Sequence, residues 1–384
     1  MAKMNTKKRI AAYAASLDPI TNGHLDIVRR MAPLYDTFIV IVASDTRKNY
    51  TFTAKERVEM ASAAVSDILN VRVESCVGEY VARFALRLGA DTLIRGIRNF
   101  KDVEDEQVLA CENREIAPGI ETLWVPCRPE LAHVSSSMVK GHVGIDPNWT
   151  TEAARSVPRE VLLHLKEKHL VGQARKHWLK LTKFLQTKSF ATAKEETDET
   201  IFEKLVETYL DRRRAYHNLE HIVTMLDLLE AHFGRNEFWP EIALAIWFHD
   251  YVYDPRASDN EERSVEASRH YVSFLTCSRG RPGVVERLIL ATKHNKMPQN
   301  REEAIIIDLD LAILGAPEKA FNEYCGGIMS EYEHVPPRKF VEGRIRVLTY
   351  FLKREPLYYT AKMRSLLDTQ ARKNLRRAIS ELSR

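Results

Sequence analysis

IAAYAASLDPITNGHLDIV, residues 10–28, is a short apolar run, a turn at Asp18-Pro19 and the opening of a helix. The run Ile10 to Ala15 reads as a strand. The helix starts near Gly23 and continues to Leu34, with Leu25, Ile27, Val28 and Met31 as its apolar positions. The next run, TFIVIVA at 37–43, is β-branched and apolar on both faces, as a buried parallel strand is. Working outward, Thr53 to Leu69 is helical and opens on TAKE, a capping box with Thr53 as cap and Glu56 reaching back. Strands at Val71 to Ser75, Asp91 to Ile97 and Thr122 to Pro126 alternate with helices at Tyr80 to Leu88 and Val103 to Ile116. Strict alternation predicts an α/β doubly wound parallel sheet with helices on both faces.

The pattern changes near His169. Residues 170–196 are polar and basic and read as a linker. Trp178, Leu179, Leu181, Phe184 and Leu185 stand in it at helical spacing, so it is partly helical. From 197 to 384 helical periodicity dominates, in segments such as Leu219 to Phe233, Pro240 to Tyr251, Glu261 to Leu275 and Pro337 to Lys353. The expectation is a first domain at 1–169 and an all-α domain at 197–384. A length of 384 residues suits two or three domains. The 45% hydrophobic and 29% charged content excludes general disorder, and 15 glycines exclude a collagen-like chain. A net charge of +4 gives no footprint for nucleic acid. Cys76, Cys111, Cys127, Cys277 and Cys325 form no CxxC, which argues against a disulfide framework and for a reducing cytoplasm. No run nears the ~20 apolar residues that span a bilayer, and Asp18-Pro19 interrupts any signal-peptide core.

The turn between the first strand and the first helix is where a parallel sheet binds ligands. The free N–H groups of the helix start favour phosphate, His24 lies in the first helical turn, and Gly23 lets a substrate approach the main chain. His24 can donate from Nε2 to an oxygen on phosphorus.

SLDPITNGHLDIV resembles the (T/H)xGH signature of the nucleotidyltransferase superfamily. Further motifs follow in order: Lys48, FTAKERVEM (52–60), ADTLIRGIRNFKDVEDE (90–106), NREIAPGIET (113–122) and HVSSSMVK (133–140). Together, over residues 9–168, they resemble the phosphopantetheine adenylyltransferase family of coenzyme A biosynthesis. That resemblance implies a Rossmann-like nucleotidyltransferase fold. It also implies transfer of AMP from ATP, with Mg2+, to 4′-phosphopantetheine, giving dephospho-coenzyme A and pyrophosphate. By the same resemblance Ser16 contacts both substrates, His24 stabilises the transition state at the α-phosphorus, and Lys48 and Arg95 neutralise the incoming phosphate. Arg98 holds the triphosphate, Glu106 lies near adenosine, and Ser135, Ser136 and Ser137 bind the β- and γ-phosphates. Ala15 departs from the family's usual glycine, Asp105 from a frequent aromatic residue and Tyr50 from a common proline. Another phosphorylated acceptor is therefore the alternative.

The helical half carries its own polar set. His217 and His221 in YHNLEH are four apart and share a helical face. His249-Asp250 closes an apolar helix, His294 follows another, and Asp308 and Asp310 lie inside the apolar run DLDLAILG. Histidines and aspartates at several helix ends can converge inside a bundle and suit Mn, Fe, Ni, Mg or Zn. The order H…HD…D, with FHDYVYDP and SDNEERS (258–264), resembles the HD-domain phosphohydrolase superfamily. By that resemblance the metal ligands are His221, His249, Asp250 and Asp310, with Asp308 the alternative acid. His217 and His294 become a second metal pair or phosphate contacts, and the substrate is an unspecified phosphorylated compound. A noncatalytic ligand-sensing or assembly module is the other reading. The expected protein is a bifunctional, cytoplasmic homo-oligomer without nucleic-acid or membrane partners.

Overall fold

The computed structural model describes residues 8–185, 197–234, 237–276 and 281–384. The first seven residues, part of the expected linker and Cys277 lie outside them. Two compact units divide at His169 and Leu170.

The first unit is a parallel five-stranded sheet in the order β3-β2-β1-β4-β5. Its strands are β1 (Ile10–Ala15), β2 (Thr37–Ser44), β3 (Val71–Val77), β4 (Thr92–Ile97) and β5 (Glu121–Pro126). Helices α1 (Asn22–Met31), α2 (Ala54–Ala64), α3 (Val81–Arg87) and α4 (Phe100–Ile116) connect them. Strand β1 sits between β2 and β4, with Ala12 opposite both Ile39 and Leu93. Alternate residues feed different faces of the sheet. Tyr13, Phe38, Val40, Val42 and Ile94 enter one buried cluster with Ile27 and Met60. Ala12, Ala14, Ile39, Ile41 and Leu93 enter the other with Phe84 and Ala85. A strand buried on both faces needs apolar residues at every position, which TFIVIVA supplies. The strand order reverses direction between β1 and β4, and the chain turns leaving their carboxyl ends open a crevice there.

The α2 cap forms as the capping-box pattern requires: Glu56 N–H donates to Thr53 Oγ1 at 3.2 Å and Thr53 N–H donates to Glu56 Oε2 at 2.6 Å. The helix stops at Ala64, five residues before the expected end. After β5 come the short helices α5 (Ser136–His142) and α6 (Trp149–Ala154) and the long α7 (Arg159–Leu185). Where a linker was expected, residues 170–185 are the second half of α7, and Ala174, Trp178, Leu181 and Leu185 are core residues of the second unit.

The second unit is helical in its described residues: α8 (Asp198–Tyr209), α9 (Leu219–Phe233), α10 (Trp239–Phe248), α11 (Asn260–Thr276), α12 (Pro282–Ala291), α13 (Arg301–Asp310), α14 (Glu318–Glu331), α15 (Pro337–Lys353) and α16 (Ala361–Leu382). Helix α10 is buried at every position, as is expected of the central helix of a bundle. Helix α13 escapes a periodicity reading because EEAIIIDL is buried on nearly all sides, so no polar stripe marks a period. Asn300 caps it, accepting from Glu303 N–H at 3.0 Å. No helix among the described residues is long and apolar enough to cross a membrane. Cys76, Cys111, Cys127 and Cys325 are free thiols.

Candidate functional site

At the β1–β4 crevice lies a cavity of about 410 Å3. Ala15 and Ser16 line it from the end of β1, His24 from α1, Arg95 and Arg98 from the end of β4, and Ser135, Ser136 and Ser137 from the start of α5. The tautomer of His24 is set by its neighbour. Thr21 N–H donates to Nδ1 at 3.0 Å, and the Thr21 hydroxyl lies 2.9 Å from the same nitrogen. The ring proton therefore sits on Nε2. Burial, reinforced by the charges of Arg98 and Arg95, pushes the His24 pKa down to about 4. At neutral pH the ring is an uncharged donor. Ser135 caps α5 by accepting from Met138 N–H at 3.1 Å, and the Ser136 hydroxyl donates to Pro19 O at 2.8 Å. The α5 start is thereby tied to the β1 turn, with its backbone N–H groups at the cavity.

The first unit matches the cytidylyltransferase-like family model over residues 12–142. The chain is 40% identical over 132 residues to a phosphopantetheine adenylyltransferase of Desulforamulus reducens, covering 34% of this chain and 81% of that one. It is 37% identical over 153 residues to the Desulfitobacterium hafniense (strain DSM 10664 / DCB-2) enzyme of that name, covering 40% of this chain and 93% of the other. It is 40% identical over 161 residues to that of Leuconostoc citreum, covering 41% and 98%. The chain belongs to the phosphopantetheine adenylyltransferase family.

Within this member of the family, the sequence-predicted residues do not all gather. Ser16, His24, Arg95, Arg98, Glu106, Ser135, Ser136 and Ser137 line one cavity. Lys48 is not among its lining residues; it is exposed in the turn after β2, where its N–H donates to Asp45 O at 3.0 Å. Glu106 is paired with Arg95: its two carboxylate oxygens accept from Nε at 2.7 Å and Nη2 at 2.5 Å, while Nη1 donates to Ala14 O. Arg95 is thus fixed in orientation by three bonds. Arg98 is exposed and reaches Asp102 at 3.1 Å through Nε.

In the second unit, His221 from α9, His249 and Asp250 from the end of α10, and Asp310 from the end of α13 meet. His221 Nε2 lies 3.3 Å from His249 Nε2 and 3.2 Å from Asp310 Oδ1. Asp250 Oδ2 lies 3.0 Å from His249 Nε2 and 3.9 Å from His221 Nε2. It is buried and makes no hydrogen bond among the described residues. His249 Nδ1 donates to Ile246 O at 3.0 Å, which turns Nε2 inward. Burial opposes a charge on His249, but Asp250 and Asp310 outweigh it and raise its pKa to about 9. Burial likewise opposes ionisation of Asp310, and the imidazoles outweigh it and hold the carboxyl well below its ordinary range. A cluster of this kind could hold a cation. Ligand atoms of His221, His249 and Asp310 all lie within 4.8 Å of one another. Two inward imidazole nitrogens and two carboxylate oxygens, one of them the buried Asp250 Oδ2, fit a divalent metal.

His294 stands behind this set. Its Nε2 donates to Asp310 Oδ2 at 2.8 Å, which aims Oδ1 at the cluster. Asp308, the alternative acid, is committed elsewhere: it accepts from Tyr359 N–H, Thr360 N–H and the Thr360 hydroxyl at 2.7–2.8 Å, fixing the start of α16. Residues two apart on a helix point in nearly opposite directions, so Asp308 and Asp310 cannot share a site. His217 lines the cavity beside the cluster, and its Nδ1 donates to Glu331 Oε2 at 2.7 Å.

Two positioning residues escape sequence reading. Glu331 also accepts from Tyr216 N–H, His217 N–H and the Tyr253 hydroxyl at 2.7, 3.0 and 2.8 Å. Arg214 donates to Asp250 O at 2.6 Å and Tyr251 O at 3.0 Å, pinning the turn that carries the cluster. Neither has a local motif; each acts through a segment distant in sequence.

The His24 ring is directly testable. Its folded pKa of about 4 lies below the unfolded 6.5, so the unfolded chain binds the extra proton between those values. The stability it contributes is complete above pH 6.5 and is lost as the pH falls through 4. An NMR titration of the full chain, with His24→Gln for assignment, should show a His24 midpoint near 4. A midpoint near 6.5 would contradict the buried neutral donor.

Proposed function

We propose that the first unit transfers the adenylyl group of ATP, taken as its Mg2+ complex, to 4′-phosphopantetheine. A phosphate oxygen of the acceptor forms a bond to the α-phosphorus, the bond from the α-phosphorus to the α,β-bridging oxygen breaks, and pyrophosphate leaves with that oxygen. The product is dephospho-coenzyme A. The acceptor phosphate is already a nucleophile, so catalysis is positioning and charge stabilisation. The observation that carries this reading is the neutral His24 with its proton on Nε2, placed in the cavity with Arg95 and Arg98. Its Nε2–H donates to a non-bridging α-phosphate oxygen as charge grows there. Arg95, held by Glu106 and Ala14 O, offers fixed positive charge to the incoming phosphate. Arg98 and the N–H groups at the start of α5 take the leaving pyrophosphate. Ser16 at the cavity rim contacts the acceptor. Family membership supports the same donor and acceptor.

The second unit we read as an HD-type, metal-dependent phosphohydrolase. His221, His249, Asp250 and Asp310 would hold the ion. When bound, a divalent metal lowers the pKa of its water and polarises a phosphoryl oxygen. The protein's own part is orientation: Ile246 O and His294 fix two ligands, Arg214 fixes the turn, and Glu331 holds His217 toward the cavity.

His24→Ala should lower dephospho-coenzyme A formation by about 10²–10³-fold, followed as pyrophosphate release. Undiminished turnover would refute the assigned donor. His249→Ala should lose the bound metal and Mn2+-dependent release of nitrophenolate from 4-nitrophenyl phosphate, while pyrophosphate release persists. Metal-free native protein, or hydrolysis unchanged in the variant, would remove the hydrolase reading.

A further inference from the structure

The cavity beside the metal-type cluster has a volume of about 590 Å3 and a second wall that the hydrolase reading leaves unused. Helix α15 presents Phe340, Gly343, Arg344, Val347 and Phe351 to it, a spacing of three and four that places them on one helical face. Opposite stand Leu314, Ile328 and Tyr324. Such a wall is apolar and aromatic, with one guanidinium set into it.

Three lysine and arginine side chains line the cavity: Lys293, Arg344 and Lys339, the last exposed near the start of α15. Lys293 is paired with Glu262 at 2.6 Å. Arg344 has no carboxylate partner among the described residues, and its Nη2 is buried without a hydrogen bond. Its guanidinium lies 4.8 Å from the centre of the Tyr324 ring, which packs 4.6 Å from Tyr216, which in turn lies 4.9 Å from His221. The guanidinium's contacts, the Tyr324 hydroxyl and the Cys325 thiol, are uncharged; a partly buried charge that no carboxylate balances is costly, and an anionic ligand removes that cost. Gly343, one residue before Arg344, has open space where a Cβ would stand, so the wall is recessed beside the guanidinium.

We propose that the α15 face selects the substrate of the second unit. Arg344 binds an anionic group, and the recessed wall with Phe340 and Phe351 covers a flat apolar body. The ligand class is an organic phosphate built on an aromatic or similarly flat group, favoured over small alkyl phosphates and inorganic phosphate. This rests on the reading of the cluster as a phosphate-processing metal site, and the test separates the two.

Phenyl phosphate and methyl phosphate are titrated calorimetrically into the full chain supplied with Mn2+, for the native protein, Arg344→Met and Gly343→Leu, with metal content measured on the same samples. Phosphate sites in the first unit are common to all three proteins and cancel in the comparison. Native protein should bind phenyl phosphate about tenfold or more tightly than methyl phosphate. Arg344→Met should weaken phenyl phosphate by about tenfold or more, with metal content unchanged. Gly343→Leu, which fills the recess at an improved helix propensity, should weaken phenyl phosphate and leave methyl phosphate as it was. Equal binding of the two esters, undetectable binding of phenyl phosphate to native protein, or an Arg344→Met protein that binds it like the native one would overturn the proposal. Bound metal together with any of those results leaves the hydrolase reading standing. Loss of phenyl phosphate binding in Arg344→Met, in protein that takes up no metal, supports the anion wall and removes the hydrolase reading.

Discussion

The carboxylate of Asp18, only 3% exposed, ties together three segments of the first unit. Its oxygens accept from Thr51 N–H at 3.0 Å, Phe52 N–H at 2.9 Å and Lys140 Nζ at 2.7 Å. The β1 turn, the loop before α2 and helix α5 are thereby fixed around one point. Arg57 adds a second tie, donating to Ser16 O at 2.6 Å, Ala43 O at 3.0 Å and Ser44 Oγ at 2.7 Å. A parallel sheet places several loops at one edge but does not by itself set their spacing; buried charge-assisted bonds do. The cavity lined by His24, Arg95 and Arg98 has its shape before any substrate arrives, as catalysis by positioning requires.

Asp310 has the corresponding place in the second unit, between His221 at 3.2 Å and His294 at 2.8 Å. The electrostatic logic is reversed. The first cavity offers cations and helix N–H groups to an anion, whereas the second gathers acids and imidazoles that could hold a cation. The two non-glycine residues with positive φ among the described residues are Leu17 at 47°, in the β1 turn next to the cavity-lining Ser16, and His294 at 56°, bonded to Asp310. Left-handed backbone costs about 1–2 kcal/mol at such a residue, and the surrounding bonds hold it there. A net charge of +4 over the chain conceals both arrangements, because each is local.

Much of the fold is legible in the residues themselves. TFIVIVA can only be a strand covered on both sides, and TAKE caps a helix through groups three residues apart. Alternation then implies a parallel sheet, while the strand order that opens the crevice is set by the packing. Helix α13 is not legible, since a segment buried all round has no polar face to mark its period. The candidate ligands His221, His249, Asp250 and Asp310 are visible as residue types near helix ends, but the choice between Asp308 and Asp310 depends on helical phase and on the Thr360 turn, which donates to Asp308. Lys48, placed at the phosphate by motif order, stands in an exposed turn away from the cavity lining. Glu331, Arg214 and Arg344 lack any local signature because their partners lie across the bundle.

The proposed function of the second unit depends on a metal held by His221, His249, Asp250 and Asp310. Anomalous diffraction from crystals of the full chain soaked in Mn2+ tests it most directly. A manganese peak should stand among His221 Nε2, His249 Nε2, Asp250 Oδ2 and Asp310 Oδ1, with His294 still bonded to Asp310. A cluster with no peak, or a peak between His217 and Glu331 instead, would contradict it.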